Sequence, residues 1–182
     1  MNKVLLIGNA PTVLNKKRGQ EIDAFDGKII RFNHYRTDSY LSFVGSRTDI
    51  LVLGQLNVEE HLDKKFDYIL IYQTHLDGGD GMRKVKGLSP HNTVLFFPLS
   101  EKDRLKRLLD LEKTVEPTTG IVAIHWFIEI QQASEIYIHG FDFSEEEYFT
   151  SEKELEIEKF HDTKKEKSFV ESLVRQGKIK WF

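Results

Sequence analysis

Val4-Leu5-Leu6-Ile7-Gly8-Asn9-Ala10-Pro11-Thr12 is the stretch on which the fold turns. Four consecutive apolar residues end abruptly in a glycine turn. A strand wetted on one face alternates apolar and polar positions, whereas a strand covered on both faces is apolar throughout. The run therefore reads as an interior strand of a parallel sheet. Gly8 and Asn9 then fall at its carboxyl end, the edge at which doubly wound α/β sheets bind their ligands. Asn9 serves there either as a turn residue or as a ligand contact.

Similar short runs recur along the chain: Ile29 to Phe32, Ile50 to Leu53, Tyr68 to Tyr72, Val94 to Phe97, Ile136 to Ile138, and Lys178 to Phe182. Their length and β-branched content predict strands. Helical spacing appears between some of them. Ser100-Glu101-Lys102-Asp103 starts a segment with Leu105, Leu108, Leu109 and Glu112 in register, and Ile121 to Ile130 is apolar nearly all round, as a buried helix is. Strands alternating with helices predict an α/β fold: a single Rossmann-like domain over residues 1–182, with a mostly parallel sheet and helices on both faces.

The tail carries two capping-box signatures, Ser151-Glu152-Lys153-Glu154 and Thr163-Lys164-Lys165-Glu166, which predict two helices. The second has Phe169, Val170, Leu173 and Val174 on one face, stops at Gly177, and hands over to the last strand. Thr74 to His91 contains Gly78, Gly79, Gly81 and Gly87 without periodicity, and is expected to be a long loop, either functional or disordered.

With 182 residues and 40% hydrophobic content, the chain has material for one real core. A formal charge of -3 gives no overall reason to expect nucleic acid or an anionic membrane as partner. Zero cysteines exclude a disulfide frame, a zinc–thiolate centre and a thiol nucleophile. No run approaches membrane-spanning length, and Met1-Asn2-Lys3 leads straight into the first strand without a signal-peptide pattern, so a cytoplasmic location is expected. No cofactor is expected, and oligomeric state is left open.

Pro117-Thr118-Thr119-Gly120 opens the buried helical run, which leads on to Ile136-Tyr137-Ile138-His139-Gly140 and Phe141-Asp142-Phe143. A polar, glycine-containing helix start presents unpaired N–H groups to an anion, although Thr118 or Thr119 acting as a plain N-cap explains the same residues. Asn33 ends the second strand and lies beside Asn9 if the two strands are neighbours. Paired amides suit reading a base edge, ribose or phosphate without added charge. Arg31 is either a phosphate contact or part of a salt bridge at the sheet edge. Neither G-x-G-x-x-G nor a P-loop occurs, and D-x-D is absent, so a metal-free mechanism fits better.

His161 falls at the break before the second tail helix. It serves either in capping or, beside a helix end that favours neutral imidazole, as a general base. Glu166 lies five residues on, about 140° around a helix, which makes a shared metal a poor fit. His125 reads as a core histidine. Tyr148 follows Glu145-Glu146-Glu147, in a solvated loop or with its hydroxyl donating to a leaving phosphate.

Taken in order, Gly8-Asn9-Ala10-Pro11, Arg31-Phe32-Asn33, Pro117-Thr118-Thr119-Gly120, Gly140-Phe141-Asp142-Phe143, and His161 with Glu166 resemble the motifs of sialyltransferases, both the small bacterial and the animal-type enzymes. The animal-type family has a Gly-Asn turn, an Arg-x-Asn element, a Ser/Thr-Thr/Ser-Gly helix start, a glycine-containing strand end closing on Asp-Phe, and a late His-x-x-x-x-Glu. The resemblance implies a Rossmann-like fold, a CMP-activated donor such as CMP-sialic acid, and a glycan acceptor. It implies that Asn9 and Asn33 hold the nucleotide, with Gly8, Arg31 and Asp142 among the substrate-binding residues. Thr119 and Gly120 would contact ribose or base, and His161 would deprotonate the acceptor hydroxyl in an inverting, metal-independent reaction. The bacterial enzymes place a tyrosine directly after the Asp-Phe pair and a second a few residues later; here Ser144 takes the first position and Tyr148 alone is left for the second. Two other classes remain open on the residues: a non-catalytic nucleotide-binding module keeping Asn9, Asn33 and Thr119, and a phosphate hydrolase using His161 and Asp162 with a metal.

Overall fold

A computed structural model of the chain describes residues 2–54, 58–72, 79–143 and 161–182. Among these residues, seven strands form one sheet: β1 (Lys3–Ile7), β2 (Lys28–Phe32), β3 (Ile50–Leu53), β4 (Tyr68–Ile71), β5 (Val94–Phe96), β6 (Glu135–His139) and β7 (Lys180–Trp181). Their order is β5-β4-β3-β2-β1-β6-β7, and every neighbouring pair is parallel. The chain builds outward from β1 to β5, then returns to the other side of β1 for β6. The order reverses between β1 and β6, and the carboxyl ends of those strands flank the crevice where such sheets bind ligands. Each of the seven runs predicted as a strand is one, to within a few residues at the ends.

Both faces are covered. Val4, Leu6, Ile30, Phe32, Ile50, Val52, Leu70, Ile136 and Ile138 point to one side, where they pack with α4 (Leu99–Leu108), α5 (Thr119–His125) and α6 (Thr163–Arg175). The alternate residues point to the other side. There Leu51, Leu53, Ile69 and Ile71 meet Val85 and Leu88 of α3 (Gly79–Leu88), and Leu5, Ile7 and Ile29 meet Ile22 of α1 (Gly19–Asp23). A strand buried on both faces is apolar at nearly every position, which is why most of the runs in the sequence do not alternate; buried Arg31 in β2 is an exception.

Helix α5 continues without a break into a π-helical turn over Trp126–Ile130, so the apolar segment is helical across its length. His125 is buried within it, its Nε2 2.9 Å from Glu101 Oε2, as expected of a core histidine. α6 closes on Gly177 as predicted: with φ at 70°, Gly177 N–H donates to Val174 O and Lys178 N–H to Leu173 O, the paired bonds of a Schellman motif.

Two expectations fail. Part of the Thr74 to His91 segment is helical, because α3 buries Val85 and Leu88, one turn apart, and this burial outweighs the poor helix propensity of its glycines. The capping box at Thr163 is also not formed. Asp162 caps α6 by accepting from Lys165 N–H at 3.0 Å, while Glu166 turns away from its own helix. The helix predicted from Ser151 lies outside the described residues.

Candidate active site

The carboxyl ends of β1, β2, β3 and β6 and the start of α5 meet at one edge of the sheet. Gly8 N–H extends the sheet by donating to His139 O, and Ala10 N–H donates to Gly140 O. The two loops are in backbone contact. A Cβ on Gly8 would lie 2.1 Å from Gly140 O, so glycine is required there. Asn9 sits over β2, its Nδ2 donating to Phe32 O at 3.2 Å. The adjacency of Asn9 and Asn33 that depended on β1 and β2 being neighbours is therefore met.

Asn33 leaves the strand geometry. Its φ of 46° is left-handed, a conformation asparagine tolerates better than most residues. Its amide joins three elements: Oδ1 accepts from Gly54 N–H at 2.7 Å, just past β3, and Nδ2 donates to Thr119 Oγ1 at 3.4 Å, at the start of α5. The strand geometry lost at Asn33 is what turns this amide toward α5. Gly54 is a site residue that sequence reasoning missed: a Cβ there would fall 2.1 Å from Thr119 Oγ1. No motif marks it, because the constraint comes from a residue 65 positions away along the chain (119 − 54).

Thr118 is the N-cap of α5, with a long 3.5 Å bond from Ile121 N–H to its hydroxyl, which settles which threonine caps the helix. Thr119 is left to face Asn33. Gly120 packs beneath Phe141, where a Cβ would lie 2.6 Å from the ring, and Phe141 also meets Phe32 edge-on. Asp142 accepts from the Thr12 hydroxyl at 3.3 Å, across the β1–β6 crevice.

His161 and Glu166 fasten to the same short segment from opposite ends. His161 Nδ1 lies 2.7 Å from Glu116 O; a carbonyl only accepts, so Nδ1 carries the proton and Nε2 is the acceptor nitrogen of the neutral ring. Glu166 is buried, and its two oxygens accept from Thr118 N–H at 2.7 Å and from Thr118 Oγ1 at 2.8 Å. Burial pushes its carboxyl up to about 7, against the lowering effect of the two Thr118 bonds. Five-residue spacing thus grips Glu116 and Thr118 on either side of Pro117. Glu116 is itself anchored: its carboxylate receives Tyr72 Oη, Lys102 Nζ and Lys106 Nζ at 2.9, 2.8 and 3.1 Å. Burial opposes the charge of that carboxylate, but these three donors hold it below the usual carboxylate range.

Arg31 is a correction. Its neighbours Ile30 and Phe32 point toward α5, so Arg31 points to the opposite face, where its guanidinium is buried and donates to the carbonyls of Val44, Gly45 and Arg47. Burial lowers it to about 10. It braces the loop after α2 (Leu41–Val44), a role that excludes both phosphate contact and an edge salt bridge. Asp162 caps α6 through Oδ1. Tyr148 and Ser144 lie outside the described residues. Among the described residues, no group of three or more His, Cys, Asp or Glu is placed to hold a metal ion.

Residues 2–79 match the model of glycosyltransferase family 29 (sialyltransferase). Two solved structures share the fold. The crystal structure of a mammalian sialyltransferase superposes with a TM-score of 0.72 at 16% identity, covering 100% of this chain and 68% of that one. A mammalian sialyltransferase in complex with Gal-beta-1-3GalNAc-ortho-nitrophenol gives the same TM-score and identity, covering 100% of this chain and 69% of that one. No curated protein matches significantly.

Proposed function

We propose that the chain is a sialyltransferase-like glycosyltransferase that transfers a sugar from a CMP-activated donor, such as CMP-sialic acid, to a hydroxyl of a glycan acceptor, a reading supported by the family match over residues 2–79 and by the shared fold. The observation that carries this is the junction of Asn33 and Thr119, beside Asn9, with His161 hung from the segment that precedes Thr119. Neutral amides and a hydroxyl at a helix start offer both donors and acceptors to a nucleoside monophosphate. A single phosphate leaves little charge to neutralise, which supports a metal-independent route.

In this mechanism the acceptor oxygen attacks the anomeric carbon from the side opposite CMP. The bond from that carbon to the phosphate oxygen breaks, and CMP leaves with the electron pair. The acceptor proton passes to His161 Nε2. The bond from Nδ1–H to Glu116 O fixes the tautomer and the ring plane before the acceptor arrives, and it continues to hold the imidazolium once formed. Configuration at the anomeric carbon inverts. One of the solved structures sharing the fold is a complex with Gal-beta-1-3GalNAc-ortho-nitrophenol, which makes galactosides the first acceptors to try.

The test is CMP release from CMP-sialic acid with a panel of galactosides. His161→Ala is expected to lower kcat by about 100-fold or more, with CMP affinity little changed. Equal turnover by the variant removes His161 as the base. Binding of CMP by calorimetry with neither transfer nor hydrolysis would identify the chain as a nucleotide-binding module instead.

A further inference from the structure

Asn33 is held on its backbone and side-chain polar groups by four residues, of which only Thr119 belongs to a motif. Its N–H donates to Val52 O at 3.0 Å, its Oδ1 accepts from Gly54 N–H, and its Nδ2 donates to Thr119. Those three partners are the ends of β3 and α5. The fourth partner is His61, in a short 3-10 turn over Glu59–His61, whose Nε2 lies 3.0 Å from Asn33 O.

We infer that His61 is a positioning residue for the nucleotide side of the site, holding the Asn33 backbone in its left-handed conformation so that the amide faces Gly54 and Thr119. The inference rests on Asn33 being a ligand contact. His61 is wholly buried, stacked on Tyr35 with centroids 5.6 Å apart and meeting Phe66 edge-on at 6.2 Å. Because Asn33 O can only accept, Nε2 carries the proton; Glu60 Oε1, 3.4 Å from the same nitrogen, lies within reach of that proton as well. Nδ1 is then a bare acceptor, buried with no hydrogen-bond partner among the described residues. A stranded acceptor is unfavourable, and an apolar side chain of similar size would fill the space without one. What the imidazole supplies that leucine would not is the bond to Asn33. Burial lowers the basicity of the ring, which keeps it neutral.

The test uses the full chain with His61→Gln, which keeps an amide N–H near the position of Nε2, and His61→Leu, which keeps bulk without a donor. In His61→Leu the Asn33 chemical shifts and amide–Hα coupling are expected to lose their positive-φ signature, and the Kd for CMP to rise about tenfold, the scale of one neutral hydrogen bond. His61→Gln restores both, and the melting temperature does not follow affinity. In the wild type, nitrogen shifts of the ring are expected to report a proton on Nε2. A proton on Nδ1 instead, or an unchanged Asn33 signature in a folded His61→Leu, overturns the inference. Failure of the wild type to bind CMP removes the nucleotide reading, while the Asn33 spectrum still decides whether His61 sets that conformation.

Discussion

Glu166 places a carboxyl in the core, where among the described residues Thr118 satisfies it, and its folded pKa of about 7 lies above the 4.5 of a free glutamate. The protonated form is therefore favoured by folding. Its contribution is full below about pH 4.5 and is lost as pH rises through 7. We expect unfolding free energy to fall by about 3 kcal/mol from this group between pH 5 and 8.5, and the fall to vanish in Glu166→Gln; urea unfolding across that range measures both. Identical pH profiles for the two proteins would exclude Glu166 as the titrating group. Gly54→Ala is the sharpest steric test, because the added methyl meets Thr119 Oγ1 at 2.1 Å. It is expected to cost about 1–3 kcal/mol of stability and to weaken CMP binding, measurable by melting and calorimetry. At this scale the sequence marks Asn9, Asn33, Thr119 and His161 as residue types suited to a site. It misassigns Glu166, which matches a capping box within its own helix until Thr118, 48 positions away, offers two donors. It leaves Arg31 undecided in the same way, since an arginine between Ile30 and Phe32 has a fixed face but its partners come from the α2 loop.

Helix α6 is written almost wholly in local signals. Gly177 adopts φ of 70°, and a Cβ there would meet nothing within 4 Å, so Gly177→Ala isolates the conformational cost, expected at about 1 kcal/mol. Asp162→Ala removes the N-cap and is expected to cost a similar amount, about 1 kcal/mol, by thermal or urea unfolding. α3 is the opposite case. Its glycines argue against a helix, and only the apolar face of β3 and β4, waiting for Val85 and Leu88, makes one worthwhile. The segment before α5 is likewise set from outside, gripped by Glu166 of α6 and His161 just before that helix, and by lysines of α4 through Glu116. An α5 start held in this way from α4 and α6 is preorganised rather than a fraying end.

Across the whole molecule, stability is expected to be graded from the middle of the sheet to its rim. Within the sheet, the buried residues all lie on β1, β2, β3, β4 and β6, whereas β5 is half-buried to exposed and β7 is exposed at the opposite edge. Amide hydrogen exchange is expected to be slowest in β1 and its neighbours β2 and β6, and fastest at β5 and β7. Equal protection at the edges would contradict the graded picture. The sequence by itself determined the class of fold, because strands covered on both faces are apolar at nearly every position and that pattern is written in consecutive residues. It also determined which residue types stand at strand and helix ends, since chain breaks there require glycine, asparagine or threonine. Only the tertiary structure decided what those ends touch. The order of the strands, the left-handed turn of Asn33, the need for glycine at 54, and the hold of His61, His161 and Glu166 on the site all depend on groups far apart in the chain. Such constraints arise from packing, and no local pattern of residues encodes them.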